Sequence, residues 1–412
     1  MGKIYTSIMI SMLLAMVLTA CQKDTVDYRN EYDASTDFPY MFQMQGDGIL
    51  VAPTDKGYYF LNGSFLYYAD KINMKPVLLD NRPENDCMQA SDQGAIRNCY
   101  AYVKHDPQFR HKFLGYHDGK LYTLESGEGL GKDNENRFKT MLIELSEDGS
   151  TRKVKMEFDS VPRSMAIHRG MLYYTLRSFD KESNATSQLM QVNLKGSGKP
   201  VPIYTGNASG SEISDITPYG KNIYFYEIGG QSIRFMRYDL ENRTATRLFT
   251  DEDGRIAKME GIYNNRLMYV VSSPIKDESS LRDEEHLKVF SSDLEGRNGK
   301  ELPIKRTFFS FYYVSGNYFY ARPVFPFLFN EQFKEKLKDI RHELTVYDQQ
   351  YNIVDKIDMS FLPIDHSFMV GDDRYAFVQI FKDGKIMMQY LDKSEFGTGK
   401  AAFKPLLESP DL

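Results

Sequence analysis

The feature that most constrains this 412-residue chain is a short unit that recurs along it seven times. Each copy is a turn of Gly, Asn or Asp followed by about four residues dominated by aromatic and aliphatic side chains. In the clearest copy, the turn at Gly220 leads into Ile-Tyr-Phe-Tyr. The seven runs are Phe65–Tyr68, Leu121–Leu124, Leu172–Thr175, Ile223–Tyr226, Leu267–Val270, Tyr318–Ala321 and Tyr375–Val378.

Each run has strand-like neighbours on both sides. An apolar run precedes each turn, a third run ends in a polar turn such as Asp293–Gly296, and a weaker fourth run follows. Four short strands at a repeat of roughly 50 residues are typical of a propeller blade. We therefore predict an all-β fold, a β-propeller of seven four-stranded blades. A β-solenoid would have shorter, more constant repeats, and a pair of β-sandwiches would rarely repeat one pattern seven times. Gly48–Val51 is expected to pair with the last blade and close the ring.

One insertion departs from this pattern. Arg322–Asn330 reads RPVFPFLFN, and Asn330 is a suitable N-cap for a short helix over 330–344, where apolar residues recur at helical spacing. The insertion is either a helix over the propeller mouth with its own small core, or an exposed apolar patch for a partner protein, an apolar ligand or a bilayer. The candidate interaction loop consists of Phe325, Phe327, Leu328 and Phe329.

Composition and motifs narrow the classes of function. The net charge is −6 with no basic run, which argues against a nucleic-acid partner. No Gly-x-Ser-x-Gly, His-Glu-x-x-His or phosphate-loop motif occurs. His105, His111 and His117 recur every six residues, but Asp106-Pro107 would interrupt a strand that placed them together. We therefore predict no catalytic residue, no cofactor and no metal site.

The N-terminus has the pattern of an export signal. Lys3 precedes the apolar run Ile8–Leu18, which is too short to span a bilayer comfortably. The sequence Leu18-Thr19-Ala20-Cys21 resembles the lipobox of bacterial lipoproteins. That resemblance implies cleavage before Cys21 and acylation of its side chain, which would hold the chain at a membrane surface.

Three segments follow from this interpretation. Residues 1–20 are expected to be a lipoprotein signal peptide, 21–40 a flexible acidic tether, and 41–412 a single propeller domain. In an exported chain, the nearby Cys87 and Cys99 are expected to form a disulfide bond. Two thiols without a neighbouring histidine at ligand spacing do not complete a zinc site.

The chain as a whole resembles bacterial lipoproteins with β-propellers of the tricorn-like or uncharacterised kind. The resemblance lies in the lipobox, in Gly57–Leu79 and in the cysteine-bearing loop that follows. Relatives are expected to have a more cysteine-rich loop, and this chain departs from them there. The resemblance implies the fold and no defined activity.

Loop lengths indicate where a site would lie. The long insertions fall between the second and third strands of their units: Ser126–Phe138, Phe179–Gln188, Ser272–His286 and Pro323–Arg341. The face that bears them is the predicted functional surface, because binding residues concentrate on loops held by a rigid scaffold.

These observations predict a lipid-anchored, extracytoplasmic propeller on a bacterial membrane, at the cell surface or on the periplasmic side. It would serve as a ligand-binding or protein-interaction scaffold for a small ligand or an envelope protein. The alternative is a hydrolase or lyase acting on extracellular glycans or peptides, which would gather carboxylates with perturbed pKa values at the axis. A third possibility is an assembly factor that adds a client strand to a blade edge.

Overall fold

The fold is described from a computed structural model. The residues described are 28–38, 48–82, 87, 96, 98–104, 112–130, 136–158, 160–179, 185–196, 198–206, 210–229, 232–249, 257–272, 287–305, 310–315, 317–323, 342–362, 366–369 and 371–410. Cys21, Phe325, Phe327, Leu328 and Phe329 lie outside them, so their predicted roles remain predictions.

The described chain folds into seven four-stranded antiparallel sheets, each made of strands consecutive in sequence. We number these sheets as blades 1 to 7. The first three contain β1 (Val51–Pro53), β2 (Gly57–Asn62), β3 (Phe65–Asp70) and β4 (Pro76–Leu78); β5 (Leu114–His117), β6 (Lys120–Leu130), β7 (Asn136–Ser146) and β8 (Arg152–Phe158); and β9 (Met165–His168), β10 (Met171–Phe179), β11 (Ala185–Asn193) and β12 (Val201–Thr205).

Blades 4 and 5 contain β13 (Glu212–Tyr219), β14 (Asn222–Gly229), β15 (Ser232–Asp239) and β16 (Thr244–Arg247); and β17 (Ala257–Tyr263), β18 (Arg266–Ser272), β19 (Leu287–Ser292) and β20 (Lys300–Lys305). Blades 6 and 7 contain β21 (Ser310–Ser315), β22 (Tyr318–Pro323), β23 (Glu343–Tyr347) and β24 (Ile353–Asp358); and β25 (His366–Met369), β26 (Tyr375–Lys382), β27 (Lys385–Asp392) and β28 (Phe403–Pro410).

The predicted seven-bladed propeller is confirmed. Six of the seven recurring runs form the second strand of their blade, as predicted. The exception is Phe65–Tyr68, which lies in β3, the third strand of blade 1, because Gly57–Asn62 forms the second strand. The Asn62-Gly63 turn therefore joins the second and third strands in this blade.

The first strands of the blades surround the axis. Strand β1 contacts β5, β5 contacts β9, β9 contacts β13, and β17 contacts β21. In an antiparallel blade, the turn between strands one and two and the turn between strands three and four emerge on the same side. We call this side the turn face, and the opposite side, with the connections between strands two and three, the loop face.

The ring is closed by side chains, and the prediction that Gly48–Val51 pairs with the last blade is wrong. Val51 pairs with Phe60 of the same blade, and each blade is built from consecutive strands. At the seam between blades 1 and 7, the Gln379 side chain donates a 2.8 Å hydrogen bond to the Leu61 carbonyl. The ring of Tyr58 packs edge-on against Phe377, with centroids 5.0 Å apart.

Tyrosine hydroxyls join neighbouring blades elsewhere in the ring. Tyr59 of blade 1 donates to the Glu147 carbonyl of blade 2 at 2.9 Å. Tyr226 of blade 4 donates to the Met259 carbonyl of blade 5 at 2.8 Å, and Tyr263 of blade 5 bonds to blade 6 in the same way. A tyrosine buries a large apolar ring and still satisfies a polar atom at its tip. This explains why a chain with 29 tyrosines suits a stack of twisted sheets.

Two further expectations are corrected. The predicted helix over 330–344 does not reach its C-terminal end, because Glu343 and Leu344 belong to β23 and Leu344 is fully buried there; residues 330–341 lie outside the described chain. The predicted tether is not free over residues 28–38, which pack against blades 3 and 4. The Arg169 guanidinium donates hydrogen bonds to two backbone carbonyls of this segment and to the carboxylate of Asp37. No helix among the described residues is long and apolar enough to cross a membrane.

Cys87 and Cys99 form a disulfide bond, with both residues buried. The Asp80 carboxylate lies beside it and accepts hydrogen bonds from the Arg82 side chain at 2.7 Å and the Tyr100 backbone N–H at 2.7 Å. Asp80 and the two sulfur atoms are close enough to suggest a metal cluster. Because both sulfurs are consumed in the disulfide, the group is structural.

Candidate functional site

A cavity of about 1250 Å³ occupies the propeller axis and opens on the turn face. Its deep wall comes from the first strands, including Leu114, Ile167 and Ile262. Its rim comes from the turns, including Asp55, Asn264, Asn317, Gln349 and Asp372–Arg374. The innermost strands thus supply an apolar interior and the turns supply polar groups, an arrangement typical of ligand sites.

One side of the cavity is formed by the N-terminal segment. We call residues 28–38 the docked segment; Tyr32, Asp37 and Phe38 are among its residues that line the cavity. Arg169, in the first turn of blade 3, holds the segment through a bidentate pair with Asp37, at 2.6 and 3.0 Å. Both partners are almost fully buried, and a planar guanidinium suits this geometry.

The same arginine also binds the backbone of the docked segment. Its guanidinium donates to the carbonyls of Arg29 and Glu31, each at 2.8 Å, and its backbone N–H donates to the Thr36 carbonyl at 2.7 Å. Because these acceptors satisfy the donors of a buried guanidinium, Arg169 anchors the segment firmly. The turn of blade 4 helps to seat it, because the Gly220 Cα faces the Asn30 carbonyl and a Cβ there would lie 2.4 Å from that oxygen.

A histidine completes the attachment. The Nδ1 atom of buried His168 accepts the Phe38 N–H at 3.1 Å, and its Nε2 lies 2.8 Å from the Gly220 carbonyl. An acceptor at Nδ1 and a carbonyl at Nε2 require the neutral tautomer with its proton on Nε2. In the middle of the docked segment, Tyr32 stacks on Tyr219 with ring centroids 5.8 Å apart.

Tyrosines also line the crevice between blades 1 and 2, into which the cavity extends. Tyr59 stacks on Tyr116 with centroids 5.8 Å apart and planes 13° apart, and Tyr68 packs against Tyr59 from the same blade. The Tyr116 hydroxyl donates to a Glu147 carboxylate oxygen at 3.1 Å. The crevice therefore offers flat apolar rings beside a carboxylate.

A second tightly held carboxylate of the cavity is Asp372, which lies at the seam between blades 1 and 7. Its oxygens accept the Tyr58 hydroxyl at 2.9 Å, and Lys71 lies 2.7 Å away. Burial alone would raise the pKa of this carboxyl, but hydrogen bonds from Lys71 and from the N–H groups of Arg374 and Tyr375 outweigh burial and lower the pKa. Asp372 is therefore ionised and committed to the seam.

Two other cavity carboxylates have pKa values shifted in the same direction. Hydrogen bonds from Ser146 and Ser150 lower the pKa of Asp148 to about 2. Burial opposes ionisation of Asp80, but the Arg82 side chain and backbone donors lower its pKa. A general acid that works near neutral pH needs a raised carboxyl pKa. Among the cavity carboxylates whose pKa is clearly shifted, every shift is downward.

Carboxamides on the rim offer hydrogen-bonding groups to solvent. Asn264, Asn317 and Gln349 are exposed, and the Gln349 amide donates to the Asn317 side chain at 2.8 Å. Asn264 adopts a positive φ of 51°, which Asn tolerates better than most residues. Donors and acceptors beside aromatic rings can bind hydroxyl or amide groups of a polar ligand.

The cavity opens on the face opposite to the one that insertion lengths predicted. The insertions lie on the loop face, and their tips are outside the described residues. Blade 2 shows part of their structure, since Ser126–Phe138 includes an extension of the hairpin formed by β6 and β7, with pairing as far as Leu130 and Asn136. Sequence reasoning identified the Asn264-Asn265 and Asp372-Asp373 turns only as structural turns. The sevenfold repeat could have indicated this site, because equivalent turns of successive blades must converge at one end of a closed ring.

Comparisons with known proteins agree with the fold. No protein-family model matches the chain, and no curated protein matches it. Tricorn protease is similar in structure, with a TM-score of 0.52 and 13% identity over 92% of this chain and 36% of that chain. Prolyl endopeptidases are similar with a TM-score of 0.50 and 14% identity over 92% of this chain and 51% of theirs. TolB from Acinetobacter baumannii gives a TM-score of 0.39 and 14% identity, covering 84% of this chain and 77% of that one.

The chain therefore spans about a third of tricorn protease and half of the prolyl endopeptidases. At these identities the similarity shows a shared β-propeller fold. It gives this chain neither their activities nor their substrates.

Proposed function

We propose that this chain is a lipid-anchored, extracytoplasmic binding protein whose ligand occupies the central cavity. The observation that carries the proposal is the cavity itself, which combines an apolar wall with a rim of tyrosines and amides. Its volume of about 1250 Å³ exceeds the usual range of small-ligand pockets, roughly 300–1,000 Å³. A polar ligand of several residues or sugar units would fit it.

The chemistry of the lining favours binding over catalysis. The shifted carboxylates Asp80, Asp148 and Asp372 are stabilised in their ionised forms by neighbouring donors. Their hydrogen bonds hold turns and blades in place, which leaves the rim amides and tyrosine rings to contact a ligand. No specific observation favours the hydrolase or lyase alternative.

The membrane anchor in this proposal comes from the Leu18–Cys21 resemblance to a lipobox. Acylation of Cys21 would accompany export across the cytoplasmic membrane. The compartments beyond that membrane are oxidising, so the Cys87–Cys99 disulfide would persist there. The loop containing Phe325, Phe327, Leu328 and Phe329 is a second proposed contact, for an envelope protein partner on the loop face.

A binding screen tests the cavity. The purified chain is titrated by calorimetry with a panel of oligosaccharides and short peptides. Any ligand found is then tested against Asn317→Ala combined with Gln349→Ala, with Asp383→Asn as the control, because Asp383 is exposed in a turn on the loop face. We expect the rim variant to lose about tenfold in affinity, the equivalent of about 1.4 kcal/mol, and the control to bind normally. A ligand that binds equally well to the wild type and the rim variant would contradict the cavity as its site.

A further inference from the structure

The docked segment determines which face of the propeller is nearest the lipid anchor. Residues 28–38 lie on the turn face, held by Arg169 in the first turn of blade 3 and seated against Gly220 in the first turn of blade 4. The same segment lines the cavity. The chain therefore leaves the propeller toward its N-terminus on the turn face, where the Arg29 carbonyl binds Arg169, and the part of the segment that lines the cavity begins at Tyr32.

The distance from the anchor to this point is short. Seven residue steps separate Cys21 from Tyr28, and a fully extended chain spans at most about 3.3–3.6 Å per residue, so the reach is about 25 Å. The strands that separate the two faces have comparable length, since β14 and β26 each contain 8 residues and strands rise about 3.3 Å per residue. A lipid on Cys21 cannot bring the loop face to the bilayer as easily as the turn face while the segment stays docked.

We propose that the docked segment orients the anchored propeller with its cavity mouth toward the lipid headgroups of its own membrane. The inference rests on the lipid anchor of the proposed function and adds a direction to it. Ligand would then enter from the gap between propeller and bilayer, and the partner of the turn face is the headgroup surface itself.

The turn face carries exposed charges of both signs. Asp55, Asp118, Asp148 and Asp373 are exposed there together with Lys56, Lys75, Lys195 and Arg374, and the Lys195 amine lies 3.4 Å from the Asp118 carboxylate. Such a face has no field of a single sign that would attract it to anionic headgroups or repel it from them. The orientation therefore depends on the docked segment and on the short length of chain between Cys21 and Tyr28.

Energy transfer to labelled lipids tests the orientation. The chain offers a clean labelling background, since Cys87 and Cys99 are joined in a disulfide and Cys21 would carry the lipid. A donor dye is placed at Gln350→Cys, exposed on the turn face, or at Lys382→Cys, exposed at the loop-face end of β26. The acceptor is a rhodamine lipid in vesicles of phosphatidylcholine and phosphatidylglycerol.

We expect at least twofold more energy transfer from Gln350→Cys than from Lys382→Cys. In the Arg169→Ala background the segment is released, and the two efficiencies should converge while the protein still floats with the vesicles. Equal transfer from both positions in the wild type, or greater transfer from Lys382→Cys, would overturn the proposed orientation. Release of the segment in Arg169→Ala is checked by faster protease cleavage within residues 28–38, and if the segment is still protected, His168→Ala is added to remove the contact with the Phe38 N–H. A difference in energy transfer that survives in the released variant would overturn the role of the docked segment.

The anchor and the orientation are measured separately. Flotation of the chain made in a lipidating bacterium, compared with Cys21→Ser, reports on the lipid anchor of the proposed function. The orientation is also measured with a histidine tag placed ahead of Cys21→Ser and bound to nickel-chelating lipids. If native flotation fails and the tagged chain still shows the twofold difference, the anchor is wrong and the orientation by the docked segment stands.

Discussion

The contact that replaces a shared strand at the seam can be tested by changing Asp372 to Asn. This side chain accepts the Tyr58 hydroxyl and pairs with Lys71, both from blade 1, while it belongs to the first turn of blade 7. The substitution keeps the size and one acceptor oxygen but removes the charge. Since each of the two ionic partners is only about one-fifth exposed, we expect a loss of about 2–4 kcal/mol in the free energy of unfolding.

That loss corresponds to a measurable shift in melting temperature. The entropy of unfolding is about 2.1 cal/mol/K per residue near 60 °C, so a propeller of this size should lose about 3–5 °C in Tm. Differential scanning calorimetry at pH 7 provides the measurement. The matched control is Asp373→Asn, which makes the same charge change at the next, exposed position and should cost less than about 0.5 kcal/mol.

The pH dependence gives a second check on the same contact. The folded-state pKa of Asp372 is lowered, so its stabilisation is present above the ordinary carboxyl pKa and is lost as the pH falls through the folded pKa. The difference between wild type and Asp372→Asn should be full at pH 7 and shrink below about pH 4. Equal melting temperatures for Asp372→Asn and Asp373→Asn at pH 7 would refute the idea that this carboxylate closes the ring.

Two further changes test other parts of the propeller. Burial lowers the pKa of Lys393 to about 7. Below pH 7 the amine is charged in the folded and unfolded states, and burial of that charge reduces the free energy of unfolding by its full amount. Between pH 7 and the unfolded-state pKa near 10.5, the folded protein loses this proton and the penalty is relieved. The free energy of unfolding should therefore rise between pH 7 and 9, by up to about 1 kcal/mol per pH unit. Denaturant titrations of Lys393→Met should show a smaller dependence on pH. An unchanged dependence in this variant would show that other groups cause the rise. Gly149→Ala should destabilise more than Gly119→Ala, by at least about 1 kcal/mol, in parallel melts. Both glycines have a positive φ, but only at Gly149 would a Cβ meet a backbone oxygen, at 2.5 Å, and equal losses would contradict this steric reason.

A further prediction concerns the disulfide bond in the N-terminal blades. Replacing Cys87 and Cys99 by serine opens a loop of sequence separation 12. We expect a loss of about 3 kcal/mol from the greater entropy of the unfolded chain, measured by denaturant titration of the variant beside the oxidised wild type. An unchanged midpoint would show that the packing around Asp80 holds this loop without the covalent bond.

The number of blades and most strand positions could be predicted from the sequence because they depend on local, repeated information. A turn that accepts positive φ followed by alternating aromatic residues specifies a hairpin wherever it occurs, and seven such hairpins must stack to bury their faces. Blade 1 shows the limit of this reasoning. Gly57–Asn62 and Phe65–Asp70 have equally suitable patterns, and only pairing with Val51–Pro53 decided which was second.

The site, by contrast, was decided by tertiary structure. Tyr58 and Asp372 are 314 residues apart, and Phe38 and His168 are 130 apart, so no local pattern relates them. Residues 28–38 have the polar composition of a tether, but the buried guanidinium of Arg169 supplies donors that their carbonyls and Asp37 can accept. The sequence determined the repeating strands, because each strand and turn depends on residues that are neighbours in the chain. Closure of the ring decided where the cavity opens, because only then do turns from seven distant blades meet around one axis.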